Sequence, residues 1–185
     1  EDWDEVMQVN LRSLFFLSQA AARHMAAQGG GKIIHVASML SFQGGITVPS
    51  YTAAKSGVAG LTRAMANEWA PLGINVNAIA PGYMATDNTA ALRANPDRNR
   101  AILDRIPAGD WGQADDLKGL VVLLASDASR YMHGSIVPVD GGWLAEAGSD
   151  EISLYGLEDA EVRESGYGPS LHAVKRLGAG ETRLL

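Results

Sequence analysis

Near the start of the chain Val6, Asn10, Leu14, Leu17, Ala21 and Met25 recur at three- and four-residue spacing, the period of one helix face. Asp2 is placed to cap this helix, Glu5 lies in its first turn, and Gly29-Gly30-Gly31 stops it, so the pattern predicts a helix over 3–28. The run Lys32-Ile33-Ile34-His35-Val36-Ala37-Ser38 then reads as a short buried strand ending at Ser38. A Gly-containing loop, 39–50, leads to Ser50 as the expected cap of a helix over 51–71, apolar at Val58, Leu61, Met65 and Trp69. Pro71-Leu72-Gly73 breaks that helix, and a second strand is expected over 74–80, turning at Pro81-Gly82.

Residues 83–108 are more polar, with short helices expected over 90–94 and 97–105. A segment of that length over a strand end has the size of a substrate lid. A turn at Asp110-Trp111-Gly112, a helix over 113–125 and a third strand over 136–140 follow; Pro138 removes a ladder donor and suits a sheet edge. Alternating strands and helices predict an α/β fold of the doubly wound, Rossmann type, with parallel strands and right-handed crossovers. The pattern fades after Ala145. Residues 146–185 carry eight acids against four bases and six glycines, and form an extension with at most short helices over 158–164 and 171–177. No chemistry is assigned to it.

Composition narrows the functional classes. A chain of 185 residues suits one domain, 1–145, plus the extension, and 46% apolar with 19% charged residues is ordinary for a globular protein. A net charge of −6 argues against a nucleic-acid partner. No apolar run is long enough to span a bilayer, and no secretory signal is visible. There is no cysteine, which excludes disulfides and thiolate metal ligands and fits a cytoplasmic protein. The four histidines lack metal-ligand spacing, so no metal is expected.

Chemistry concentrates between Ser38 and Lys55. Tyr51 and Lys55 are four residues apart, hence neighbours on one helix face. A cation beside a phenol favours phenolate and lowers a pKa that is ordinarily ~10. A tyrosine tuned this way can exchange a proton with an alcohol or carbonyl, and Ser38 can hydrogen-bond the same oxygen. Tyr-x-x-x-Lys alone is more often an ordinary amphipathic pair. The strand ending at Ser38 changes the balance, because ligands of open α/β sheets bind at strand carboxyl ends.

These residues, with Val9-Asn10-Leu11, Asn75-Val76-Asn77-Ala78-Ile79-Ala80-Pro81-Gly82 and Val139-Asp140-Gly141-Gly142, resemble the short-chain dehydrogenase/reductase family over residues 1–145. The resemblance implies an NAD(P)-dependent oxidoreductase with a tetrad of Asn10, Ser38, Tyr51 and Lys55. Tyr51 would be the acid/base and Ser38 would orient the substrate oxygen. Lys55 would lower the Tyr51 pKa and bind the nicotinamide ribose, and the Asn10 carbonyl would hold a water leading to Lys55. Tyr51, Lys55, Pro81, Gly82, Met84 and Thr86 would contact the cofactor, expected to be NAD with NADP not excluded. It further implies a homo-oligomer through the helices 3–28 and 51–71. Ser38-Met39-Leu40-Ser41-Phe42-Gln43-Gly44-Gly45 is most similar to members acting on secondary alcohols of sugar acids, of the 2-deoxy-D-gluconate or 2-dehydro-3-deoxy-D-gluconate type. A lid arginine, Arg93, is a candidate for the substrate carboxylate, though more often such a residue is a solvated charge. The family's Gly-x-x-x-Gly-x-Gly turn has no counterpart, so the chain reads as the family's carboxyl-terminal part. The alternative is a catalytically silent remnant that keeps the helical dimerisation surface.

Overall fold

The computed structural model describes residues 2–145; the extension 146–185, with its two expected short helices, lies outside them. Three parallel strands, β1 (Gly31–Val36), β2 (Ile74–Pro81) and β3 (Ile136–Val139), pair in the order β1-β2-β3. The proline-bearing strand is therefore at an edge, where its missing donor costs no ladder bond.

Central β2 is buried on both faces. Its alternate residues Ile74, Val76, Ala78 and Ala80 join the apolar clusters under the helices. The intervening Asn75 and Asn77 take the opposite face, and their buried amides are satisfied by the loop that leads into β3. Asn77 donates to the Met132 carbonyl (2.9 Å) and accepts from the Ser135 N–H (3.0 Å). Asn75 donates to the same carbonyl (2.9 Å) and accepts from Lys32 Nζ (3.0 Å). Two polar residues in an apolar strand thus pin the approach to β3.

The predicted first helix is interrupted. α1 (Asp2–Met7) and α2 (Ser13–Ala27) flank a π-helical turn, Gln8–Arg12, in which the Ser13 N–H reaches back to the Gln8 carbonyl. One extra residue rotates everything downstream by ~100° relative to an unbroken α-helix. Leu17, expected on the inner stripe, is therefore 73% exposed, and Ser18 and Ala22 are buried instead.

α3 (Pro49–Trp69) starts earlier than expected. Pro49 occupies its first turn, where a missing N–H costs nothing, and Val48 rather than Ser50 stands at the cap position. A short 3-10 turn, Ala70–Leu72, then passes into Gly73, whose φ of 75° suits glycine. α4 (Ala90–Ala94) and α5 (Pro96–Leu103) are the two short helices expected in the segment 83–108, with Asn95 capping α5 through the Arg98 N–H (3.0 Å). The helix expected over 113–125 splits into a 3-10 turn, Ala114–Leu117, and α6 (Lys118–Ala125). None of the described helices is long and apolar enough to cross a membrane.

One buried polar cluster crosses these layers. The His35 ring, on β1, lies between Ser18 on α2 and Thr62 on α3. Burial lowers its pKa from 6.5 to about 4, so the fold holds the neutral ring. The unfolded chain takes up this proton below 6.5 and the folded chain does not. The contribution is therefore complete above pH 6.5, falls as pH drops toward about 4, and is gone below it. The loss amounts to about 3 kcal/mol across that window. Urea melts of the protein and of His35→Asn, compared above and below the window, check this: the gap between the two should narrow in acid.

Candidate active site

All three strands deliver residues to one edge of the sheet. β1 runs toward Ser38, β2 ends in Pro81-Gly82, and β3 leads to Asp140. Pairing outlasts β1 by one residue, through the Ala37 N–H to the Ile79 carbonyl (2.8 Å). Ser38 then caps the 3-10 turn Met39–Ser41: its Oγ accepts from the Leu40 N–H (3.2 Å), which leaves the hydroxyl proton to be donated elsewhere. Ser41, not singled out in the sequence, fastens this turn to α3 by donating to the Lys55 carbonyl (2.7 Å).

Tyr51 lies in the first turn of α3 and Lys55 one turn later, with its ammonium 5.5 Å from the Tyr51 ring centre. Lys55 is buried and donates to the Val36 carbonyl (2.8 Å). Burial pushes its pKa below the ordinary lysine value. The Tyr51 phenol is shifted upward by burial, and a hydrogen bond from the Ser38 side chain pulls the other way. The net direction is upward, against the expected lowering, because burial is the larger influence. The Lys55 ammonium is bound to a strand carbonyl and stands beside the ring, and the Ser38 hydrogen bond lowers the phenol pKa against the effect of burial.

Asn10 is not joined to the other three by a side-chain bond; its amide donates to the Val6 carbonyl (3.1 Å). It sits within the π turn, a feature frequent at functional sites, and that turn packs on α3. Leu11 lies against Gly57, where a Cβ would meet its methyls at 2.9 Å. Ser38, Tyr51 and Lys55 are thus brought together, and Asn10 is on the helix beside them.

The second strand end is built by close backbone approach. The Gly82 N–H donates to the Val139 carbonyl (2.9 Å), and a Cβ at Gly82 would fall 2.5 Å from the Asp140 Cα, so only glycine fits. The Asp140 carboxylate accepts from the Gly142 and Leu144 N–H groups, both at 3.0 Å. Met84 bridges to Gly112, and the Thr86 N–H donates to the Met84 carbonyl (3.0 Å). Arg93 donates to the Thr86 carbonyl (2.9 Å), so it braces this segment.

Segments after all three strands, with the end of α5 and the loop after it, build a wall that sequence reasoning missed. Met39, Ile102, Ile106 and Trp143 form one buried cluster beside Ser38, with Tyr83 and Trp111 packed on it. The Tyr83 ring meets Trp143 and Trp111 edge-on, at 4.8 and 5.5 Å between centres. Trp111 is fixed by Asn99 (2.7 Å), and Arg105 stacks on Trp143 at 4.0 Å. A cavity of about 230 Å³ adjoins this wall, lined by Tyr83, Met84, Ile106, Asp110 and Asp140. The signal that could have found the wall was three large aromatics in otherwise polar or Gly-rich surroundings. Among the described residues no cluster of three acid, histidine or cysteine side chains is arranged to hold a metal ion.

The family model described as enoyl-(acyl carrier protein) reductase matches residues 1–144. The chain belongs to the short-chain dehydrogenase/reductase family. It is 68% identical over 146 residues to the 2-dehydro-3-deoxy-D-gluconate 5-dehydrogenase of Escherichia coli, covering 78% of this chain and 58% of that protein. The Bacillus subtilis enzyme of the same name is 62% identical over 145 residues, covering 78% and 57%. A solved structure of a putative 2-deoxy-D-gluconate 3-dehydrogenase from Agrobacterium tumefaciens, with bound NADP, is 64% identical and superposes with a TM-score of 0.77, covering 78% of this chain and 59% of that one. This short-chain dehydrogenase/reductase chain thus spans less than three fifths of the length of these relatives.

Proposed function

We propose that the chain forms the catalytic part of an NAD(P)-dependent oxidoreductase acting between a secondary alcohol and a ketone of a sugar acid, of the 2-deoxy-D-gluconate or 2-dehydro-3-deoxy-D-gluconate type. The observation that carries this reading is the convergence of Ser38, Tyr51 and Lys55 at the strand ends, in a chain 62–68% identical to dehydrogenases named for such a substrate. A solved relative from Burkholderia cenocepacia, 42% identical, is described as a gluconate 5-dehydrogenase with NADP and tartrate. Tartrate is a hydroxy acid, which suits the same substrate class. Solved relatives hold NADP, so NADP is the first dinucleotide to try and NAD the second.

The residues present fit the nicotinamide end of such a cofactor: a bare glycine edge at Pro81-Gly82, the braced Met84–Thr86 segment, and a buried lysine beside Tyr51. When bound, the nicotinamide supplies the hydride acceptor or donor. Tyr51 exchanges the proton of the substrate oxygen, giving it in ketone reduction and taking it in alcohol oxidation. The upward shift favours the phenol form that donates in ketone reduction, whereas alcohol oxidation starts from the phenolate, which the Ser38 hydrogen bond favours. Ser38 donates a hydrogen bond to the same oxygen and stabilises charge developing there. Lys55 would offer its ammonium to the ribose hydroxyls, and the Asn10 carbonyl would anchor a water on the path to Lys55.

We also propose that the chain self-associates through α2 and α3. The groove between them holds about 410 Å³, lined by Phe15, Ala22, Leu61, Met65 and Trp69, and Phe16 beside it is about half exposed. The decisive assay joins the amino-terminal part of the Escherichia coli relative ahead of Glu1 and follows dinucleotide absorbance with 2-deoxy-D-gluconate and with simple secondary alcohols. Turnover of the sugar acid with NADP or NAD is expected. Turnover of the simple alcohols alone would overturn the substrate class.

A further inference from the structure

The His35 cluster spans the elements that carry the proposed tetrad: β1 runs to Ser38, α2 follows Asn10, and α3 carries Tyr51 and Lys55. Its bonds have a fixed direction. The Thr62 hydroxyl gives its proton to the Val58 carbonyl (2.7 Å), so toward His35 Nδ1 (2.8 Å) its oxygen can only accept. Nδ1 therefore carries the ring proton. Nε2 is left as acceptor, and the Ser18 hydroxyl donates to it (2.9 Å). The charged groups of the neighbouring elements, Arg23 and His24 on α2, Lys55, Arg63 and Glu68 on α3 and Lys32 on β1, make no bond to the ring.

The two ends of this bridge differ in what they reach. Thr62 is seven residues beyond Lys55, two turns along the same face of α3. Lys55 itself is bonded to the carbonyl of Val36, the residue next to His35. Adjacent residues of β1 thus grip α3 at two points two turns apart, which fixes both its distance and its roll. Ser41 adds a hold at the Lys55 carbonyl, so the Thr62 contact is the one that ties the following turns of α3 to His35. Between these points Val58 and Ala59 are fully packed, so a shift at Thr62 has no slack to absorb it. Ser18, by contrast, belongs to α2, which is separated from Asn10 by the end of the π turn.

We propose that His35 is a positioning residue for Lys55, acting through its Nδ1–H bond to Thr62 and not through Ser18. The functional weight of Lys55 rests on the oxidoreductase reading above; its placement by His35 does not. The test uses the 185-residue chain without substrate or dinucleotide. Long-range proton–nitrogen spectra of the histidine rings should show His35 as the Nδ1–H tautomer, with the signal identified by its loss in His35→Asn. Lys55 side-chain signals, followed against pH, should titrate below the ordinary lysine value of 10.5. Ser18→Ala should leave that midpoint in place. Thr62→Val should move it toward 10.5, and Thr62→Ser, which keeps the hydroxyl, should restore it.

If Thr62→Val does not fold, His35→Asn and His35→Gln make the same comparison. Asparagine keeps a donor at the Nδ1 position, facing Thr62, whereas glutamine reaches only the Nε2 side. The asparagine variant should leave Lys55 in place and the glutamine variant should shift it. An Nε2–H tautomer would overturn the proposal. So would an unchanged Lys55 midpoint in a folded but less stable Thr62→Val, or a shift in Ser18→Ala as large as in Thr62→Val. A chimeric enzyme without sugar-acid activity would refute the functional reading while leaving the Lys55 result standing.

Discussion

Tyr51→Phe should lower sugar-acid turnover by roughly 10²–10⁴-fold, the range typical of a lost general acid or base. The enzyme for this measurement is the chimera described above, with the amino-terminal part of the Escherichia coli relative ahead of Glu1. Under the proposed function the phenol oxygen, which meets Ser38 at the strand ends, is the proton-exchanging group. Removing it leaves Lys55 bonded to the Val36 carbonyl and Gly82 packed on Asp140. Dinucleotide affinity should therefore change little while kcat collapses. In the 185-residue chain itself, the Tyr51 phenol should titrate above the ordinary tyrosine range, because burial outweighs the Ser38 hydrogen bond. Near-native turnover by Tyr51→Phe would show that another group moves the proton, and Ser38 would be the next to examine.

Titrated alone, the 185-residue chain should bind NADP or NAD with a dissociation constant weaker than ~1 mM, less than about 4 kcal/mol of binding free energy. Pyrophosphate recognition in this type of sheet uses backbone N–H groups of a glycine-rich turn and the helix amino terminus after it. These 185 residues contain no Gly-x-x-x-Gly-x-Gly run. Lys55, Gly82 and Thr86 address the nicotinamide end alone, so most of the charged half of the dinucleotide finds no partner. Calorimetric titration with each dinucleotide makes the measurement. Micromolar binding would mean that the pyrophosphate has a site on this chain outside the strand ends described.

The sequence by itself determined the order of the main elements, the parallel sheet and the shared helix face of Tyr51 and Lys55. Apolar runs closed by Pro and Gly, and three- and four-residue spacing, report on local structure, and Tyr51 and Lys55 are linked by local helix geometry alone. Pro138 announced an edge strand by the donor it lacks. What only the tertiary structure decided came from long-range packing. The π turn at Gln8–Arg12 rotated α2, so that Leu17 faces outward and Ser18 reaches His35. No residue spacing signals an inserted helical residue. The Tyr51 pKa moved against the sequence expectation, because burial and the strand carbonyl that holds Lys55 are invisible in a local motif. Asn75 and Asn77 belonged to a recognised run, but their task, holding the loop before β3, required residues more than fifty positions away. The aromatic wall arises in the same way: Tyr83 and Trp143 follow the neighbouring strands β2 and β3, and Trp111, from the loop after α5, packs its ring against Tyr83.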